Sequence, residues 1–195
     1  MERVCGEILH LAEEVTSALA ADGFDIAVHD DDCVAEEQMS GLRYGFSYSI
    51  KRAYKGQRRE AQLMLQWDLW RPDEPSVWPY RNSALMLVAY DAELSDGWDA
   101  DQLSVRSDGQ LADDRVRAMI ATRCDGRLLL WERRAGDPHF ARQAWMYGLH
   151  LGEIQDLADA RRMILEPVRT LLKKPEDALQ VLQRANSIVW PARQP

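Results

Sequence analysis

The sequence predicts an α+β domain, an antiparallel sheet with an N-terminal helix and C-terminal helices packed on it. Three observations lead there. An apolar stripe with helical spacing opens the chain, two arms of strictly alternating residues surround a turn in its first third, and helical spacing returns in its last third. With 195 residues, 46% hydrophobic and 29% charged, 11 glycines and 8 prolines, the chain is long enough to bury a core unaided by disulfides or metals. One domain over residues 1–195 is expected, with only the last few residues loose.

The first element is a helix over residues 2–21, because Val4, Ile8, Leu11, Val15 and Leu19 recur at helical spacing with Glu7, Glu13 and Glu14 outside the stripe. Asp22-Gly23 ends it. In residues 24–29, Phe24, Ile26 and Val28 alternate with Asp25, Ala27 and His29, which is a short strand. The clearest signal is residues 43–70: Tyr44, Phe46, Tyr48 and Ile50 alternate with polar neighbours, and so do Ala61, Leu63, Leu65, Trp67 and Leu69. With Lys55-Gly56-Gln57 between them, the two arms predict an antiparallel hairpin.

Prolines 72, 75 and 79 mark an irregular connection. Residues 84–90 are an apolar run suited to a buried strand, and residues 91–108 form an acidic loop. Asp125-Gly126 suits a type I′ turn between strands over 116–123 and 128–133, with a helix over 113–122 as the rival reading. Further on, Asp137-Pro138 offers an N-cap with proline at the first helical position, and Phe140, Ala144, Tyr147 and Leu151 keep helical spacing. A helix is expected there. Beyond Gly152, Ile154, Leu157, Ile164, Val168 and Leu171 line one side of a further helix that Pro167 should kink or break. A last short helix runs from residues 174–177 to about Arg184.

Composition bounds function. Met1 to Glu7 carries acids where an export signal needs a basic start and an apolar run, and no uncharged stretch approaches the roughly 20 residues of a membrane helix. Cys5, Cys33 and Cys124 are odd in number and widely spaced, which fits a reducing compartment and no disulfide framework. The net charge of -8 opposes a surface devoted to nucleic acid. Its distribution is uneven: residues 22–40 hold seven acids and no Lys or Arg, from Asp22 to Glu37, whereas residues 43–59 hold Arg43, Lys51, Arg52, Lys55, Arg58 and Arg59 and no acid.

Catalytic signatures are sparse. His29 with Asp30, Asp31 and Asp32 has hard-cation chemistry, but consecutive side chains on an extended segment alternate sides, so at most two converge. His150 and Glu153 have the i, i+3 spacing of helical metal sites, interrupted by Gly152 and without a second copy. His29, Asp30, Asp32, His150 and Glu153 together make the alternative reading, a small metal-dependent hydrolase or phosphoesterase with a basic tip to orient phosphate. Neither a nucleophile elbow nor a phosphate-cradling glycine motif occurs. The segment 43–48 has rings like those that stack bases in RNA-recognition motifs, but it lacks the glycine expected after the basic residue, and its rings share the core-facing side with Ile50.

The leading expectation is a cytoplasmic protein-interaction or regulatory module of the antidote, chaperone or adaptor kind, without catalysis and without a cofactor or metal. Its partner is another protein; membrane is excluded and nucleic acid disfavoured. Lys51, Arg52, Lys55, Arg58 and Arg59 at the hairpin tip would steer the partner, opposite charge meeting that tip or the acidic 91–101 loop, while Trp70, Trp78 or Trp98 supplies an apolar anchor.

Overall fold

The computed structural model of the chain describes residues 2–22, 25–28, 42–54, 57–70, 84–91, 120–133, 144–173 and 177–189. The architecture is α+β. Helix α1 (Glu2–Ala21) precedes strands β1 (Asp25–Val28), β2 (Leu42–Tyr54), β3 (Gln57–Trp70), β4 (Leu85–Asp91), β5 (Ile120–Asp125), β6 (Leu128–Arg133) and β7 (Ala144–His150). These strands make one seven-stranded sheet in the order β1-β2-β3-β4-β7-β6-β5, and every neighbouring pair is antiparallel. Two meanders thus meet at the β4–β7 seam.

The long hairpin forms where the alternation predicts it. Its register sets Tyr44 against Trp67, Phe46 against Leu65, Tyr48 against Leu63 and Ile50 against Ala61, so the apolar positions of both arms share one face. The second hairpin also forms, and residues 120–122 are strand rather than helix. Its loop lies one residue later than Asp125-Gly126 implies: Asp125 pairs with Leu128, leaving Gly126 and Arg127 as the two loop residues. Gly126 has φ 65 while Arg127 is not among the positive-φ residues, a pattern that belongs to a type II′ turn with glycine first, not type I′.

Residues 144–150 correct the sequence reading, since they are strand β7 and not helix. β7 is flanked by β4 on one side and β6 on the other, and residues 145–149 are all buried. A strand covered on both faces loses its alternation and becomes a short apolar run, which periodicity cannot separate from a buried helix. Residues 137–143 of the expected helix lie outside the described residues.

The main core lies on one face of the sheet. Val15 and Leu19 of α1, Leu63 and Leu65 of β3, Val88 and Tyr90 of β4, and Trp145 and Tyr147 of β7 belong to one buried cluster with the C-terminal helices. Tyr90, Trp145 and Tyr147 stack in succession, with ring centroids 5.3 Å and 6.1 Å apart. The opposite face of the β4–β7 seam is buried as well, at Leu85, Leu87, Ala89 and Met146.

After a 3-10 turn over Leu151–Glu153, helix α2 (Leu157–Ala160) runs into a π-helical turn over Arg161–Leu165 and then helix α3 (Glu166–Lys173). Asp156 caps α2, its carboxylate accepting from the Asp159 N–H at 2.8 Å. Of the expected stripe, Ile164, Val168 and Leu171 are buried, whereas Leu157 is 44% exposed. The π turn accounts for this: its wider i→i+5 winding rotates the residues before it off the face that the residues after it bury.

Of the two outcomes expected at Pro167, a kink or a break, the break does not occur: the helical segment runs through it. The wide turn lies immediately before the proline, with the Glu166 N–H bonded to the Arg161 carbonyl. Pro167 has no N–H to give, so the Met163 carbonyl loses its i→i−4 donor. The Tyr147 hydroxyl lies within reach of this turn, 3.5 Å from the Met163 carbonyl and 3.2 Å from that of Ile164.

Helix α4 (Ala178–Arg184) ends in a Schellman turn. Asn186 takes the left-handed conformation, φ 51, its N–H bonds to Gln183 and the Ser187 N–H to Leu182, both at 3.1 Å. The chain then returns to the sheet, where the Ile188 N–H donates to the Gly148 carbonyl at 2.9 Å. Ser187 Oγ is buried with no hydrogen-bond partner. An orphaned hydroxyl carries a desolvation cost, so Ser187→Ala is expected to leave stability unchanged or raise it by up to about 1 kcal/mol in urea unfolding; a loss beyond that range would show the hydroxyl to be engaged.

Candidate functional site: the β2–β3 arm

The register of the sheet isolates the end of the long hairpin. β1 pairs with β2 only from Tyr48 to Lys51, and β4 pairs with β3 only from Gln62 to Asp68. The rows Arg52–Arg59, Ala53–Arg58 and Tyr54–Gln57 therefore have no third strand among the described residues. They form a two-stranded arm about 10 Å long at about 3.4 Å per residue. Before β1, Asp22 follows the end of α1, and its carboxylate accepts a hydrogen bond from Arg169 Nε of α3.

The arm divides the basic residues that lie adjacent in sequence. Lys51 stands in a row between Asp25 of β1 and Glu60 of β3, so oppositely charged positions flank it. By strand alternation that row shares a face with Arg58 and with Asp91, the partner of Gln62. Arg52 and Arg59 occupy the other face, in line with Ile50 and Ala61. The alternating series Tyr44, Phe46, Tyr48, Ile50 thus continues into an arginine at the row where the neighbouring strands stop. Sequence reasoning found these residues as a charged tip but not their pairing, although the signal was there: Arg52 keeps the apolar parity.

Trp70 ends β3, across from Leu42. Lys55, Trp78, Trp98, the 91–101 loop beyond Asp91, and His29, Asp30 and Asp32 lie outside the described residues. His150 and Glu153 are placed, but not on a helix: His150 ends β7 opposite Leu85, and Glu153 closes the 3-10 turn, its carboxylate accepting from Asn186 Nδ2 at 2.8 Å. Among the described residues no group of three or more His, Cys, Asp or Glu could hold a metal ion, and no helix is long and apolar enough to cross a membrane.

Among the described residues, two groups have displaced pKa values. Hydrogen bonds from the Arg162 guanidinium and the Gln155 N–H hold the Asp159 carboxyl below its ordinary value, and Arg162 also donates to the Arg184 carbonyl at 3.1 Å, tying α2 to the end of α4. Burial pushes the Tyr147 phenol well above its ordinary value. Both belong to the scaffold rather than to the arm. No protein-family model, curated protein or solved structure matches the chain.

Proposed function

We propose that the protein is an interaction or regulatory module of the cytoplasm, of the antidote, chaperone or adaptor kind, and that it meets a partner protein through the β2–β3 arm. The observation that carries the reading is the arm itself: three two-stranded rows with Arg52, Arg58 and Arg59 beyond the reach of β1 and β4. Such a charged extension adds little to a core and suits the steering of an oppositely charged partner. Trp70, Trp78 and Trp98 are the candidate apolar anchors; of these, Trp70 is at the end of β3 away from the arm.

The test is photo-crosslinking from Tyr54 or Gln57 in the native host, with the captured protein then purified for kinetics. Reversing the charge of Arg58 and Arg59 should slow association at low salt by about tenfold, with the difference shrinking as salt rises. Recovery of nothing specific from either position, or association rates that ignore the reversal, would remove the reading.

A further inference from the structure

We infer that the return of the chain after α4, residues 186–189, is a releasable strap over a docking seat on β7, and that the seat takes in its place an extended segment of a partner protein carrying a branched aliphatic residue. The inference is independent of the arm. Register defines the backbone half of the seat. The Leu151 N–H donates to the Ala84 carbonyl at 2.9 Å, so the β4–β7 pairs that exchange hydrogen bonds fall at Met86–Leu149 and Val88–Tyr147. Gly148, opposite Leu87, therefore directs its N–H and carbonyl away from β4, to the side of β7 that β6 lines. The β6–β7 register runs from Trp131–Ala144 to Leu129–Met146. Two residues further along β7, the Ile188 N–H reaches the Gly148 carbonyl at 2.9 Å, so the strap continues the sheet beyond that pairing.

The side-chain half of the seat is the space that Gly148 leaves. A Cβ there would stand 2.7 Å from Ile188 Cδ1 and 3.3 Å from Leu87 Cδ2, and a glycine inside a strand marks the close approach of another group. Ile188 is 3% exposed and Val189 52%, so Ile188 is the side chain that enters. Two features favour release. Ser187 Oγ is buried without a partner, so closing the strap strips water from a hydroxyl and returns no hydrogen bond. Asn186 holds a left-handed conformation, φ 51, which costs a residue other than glycine. An extended segment from outside meets neither penalty. It brings an N–H to the Gly148 carbonyl and a branched side chain to the space beside Leu87, which is strand addition with one pocket to select the sequence.

Hydrogen exchange and peptide binding test this on the full chain. The Ile188 amide should be protected about a hundredfold less than the amides of Tyr147 and Leu149, and Ser187→Ala should slow its exchange by up to about fivefold. The binding probe is a labelled peptide with the strap's own sequence, Ala-Asn-Ser-Ile-Val-Trp. Ile188→Ala loosens the strap and frees the seat, so the peptide should bind this variant about tenfold or more tightly than the wild type. Gly148→Ala added to Ile188→Ala fills the seat and should remove that gain, and N-methylation of the peptide isoleucine should weaken binding about tenfold. An Ile188 amide as protected as those of β7 in the wild type, a peptide that binds Ile188→Ala no more tightly than the wild type, or a gain that survives Gly148→Ala would overturn the strap.

Discussion

Gly148→Ala is expected to lower the unfolding free energy by about 1–3 kcal/mol, the usual cost of forcing a methyl group into a packed core. A Cβ at this position would stand 2.7 Å from Ile188 Cδ1, 2.9 Å from Ile188 Cγ1 and 3.3 Å from Leu87 Cδ2. Side-chain ends can often swing aside, but this one is held. The Ile188 N–H is bonded to the Gly148 carbonyl, the Schellman turn fixes the residue before it, and Ile188 and Leu87 are both buried. The sign is informative, because alanine in a strand interior ordinarily gains about 0.5–1 kcal/mol over glycine. Ile188→Ala removes both close atoms, so urea unfolding of the double variant should show Gly148→Ala to be nearly silent in that background. Additive losses would mean that the C-terminal return does not pack on β7.

The same glycine shows what the sequence could and could not convey. The long hairpin was legible because one face of it is apolar and the other polar, so period two survives in Tyr44 to Ile50 and in Ala61 to Leu69. The second hairpin was legible from Asp125-Gly126, though the turn type was not: only the pairing of Asp125 with Leu128 determines which two residues form the loop. β7 was illegible in principle. Covered by β4, β6, the core cluster and Ile188, it reads Ala-Trp-Met-Tyr-Gly-Leu-His, and the accidental 4-3-4 spacing of Phe140, Ala144, Tyr147 and Leu151 imitates a helix face.

Long-range packing also governed the helices. Pro167 signals a kink or a break by local rules; the helix continues through it after a wide turn, within reach of a hydroxyl from a strand. Nothing near residue 163 in sequence announces Tyr147. For the candidate site, the sequence showed which residues are basic but not which ones share a row. That Lys51 stands between Asp25 and Glu60 while Arg52 faces Arg59 is a property of register, and register belongs to three strands at once.

Tyr147→Phe is expected to cost about 1–3 kcal/mol, because it deletes the buried hydroxyl that donates to the carbonyls of the wide turn. The ring itself stays, so the stack with Trp145 and the packing of the core are retained, and the loss isolates the hydroxyl. Alkaline unfolding supplies an independent reading. Tyr147 is buried and its pKa is raised well above 10.0 by desolvation; the folded state therefore holds the phenolic proton over a range of pH in which the unfolded chain releases it. Where the unfolded state binds fewer protons, stability falls as pH rises. The contribution of this group is thus constant below about pH 10, the unfolded value, and declines above it. In Tyr147→Phe that part of the decline disappears, so the stability curves of the two proteins should run parallel at neutral pH and converge above pH 10. Curves that stay parallel throughout would place the Tyr147 hydroxyl in contact with solvent, and the wide turn before Pro167 would then have to satisfy its carbonyls without the sheet.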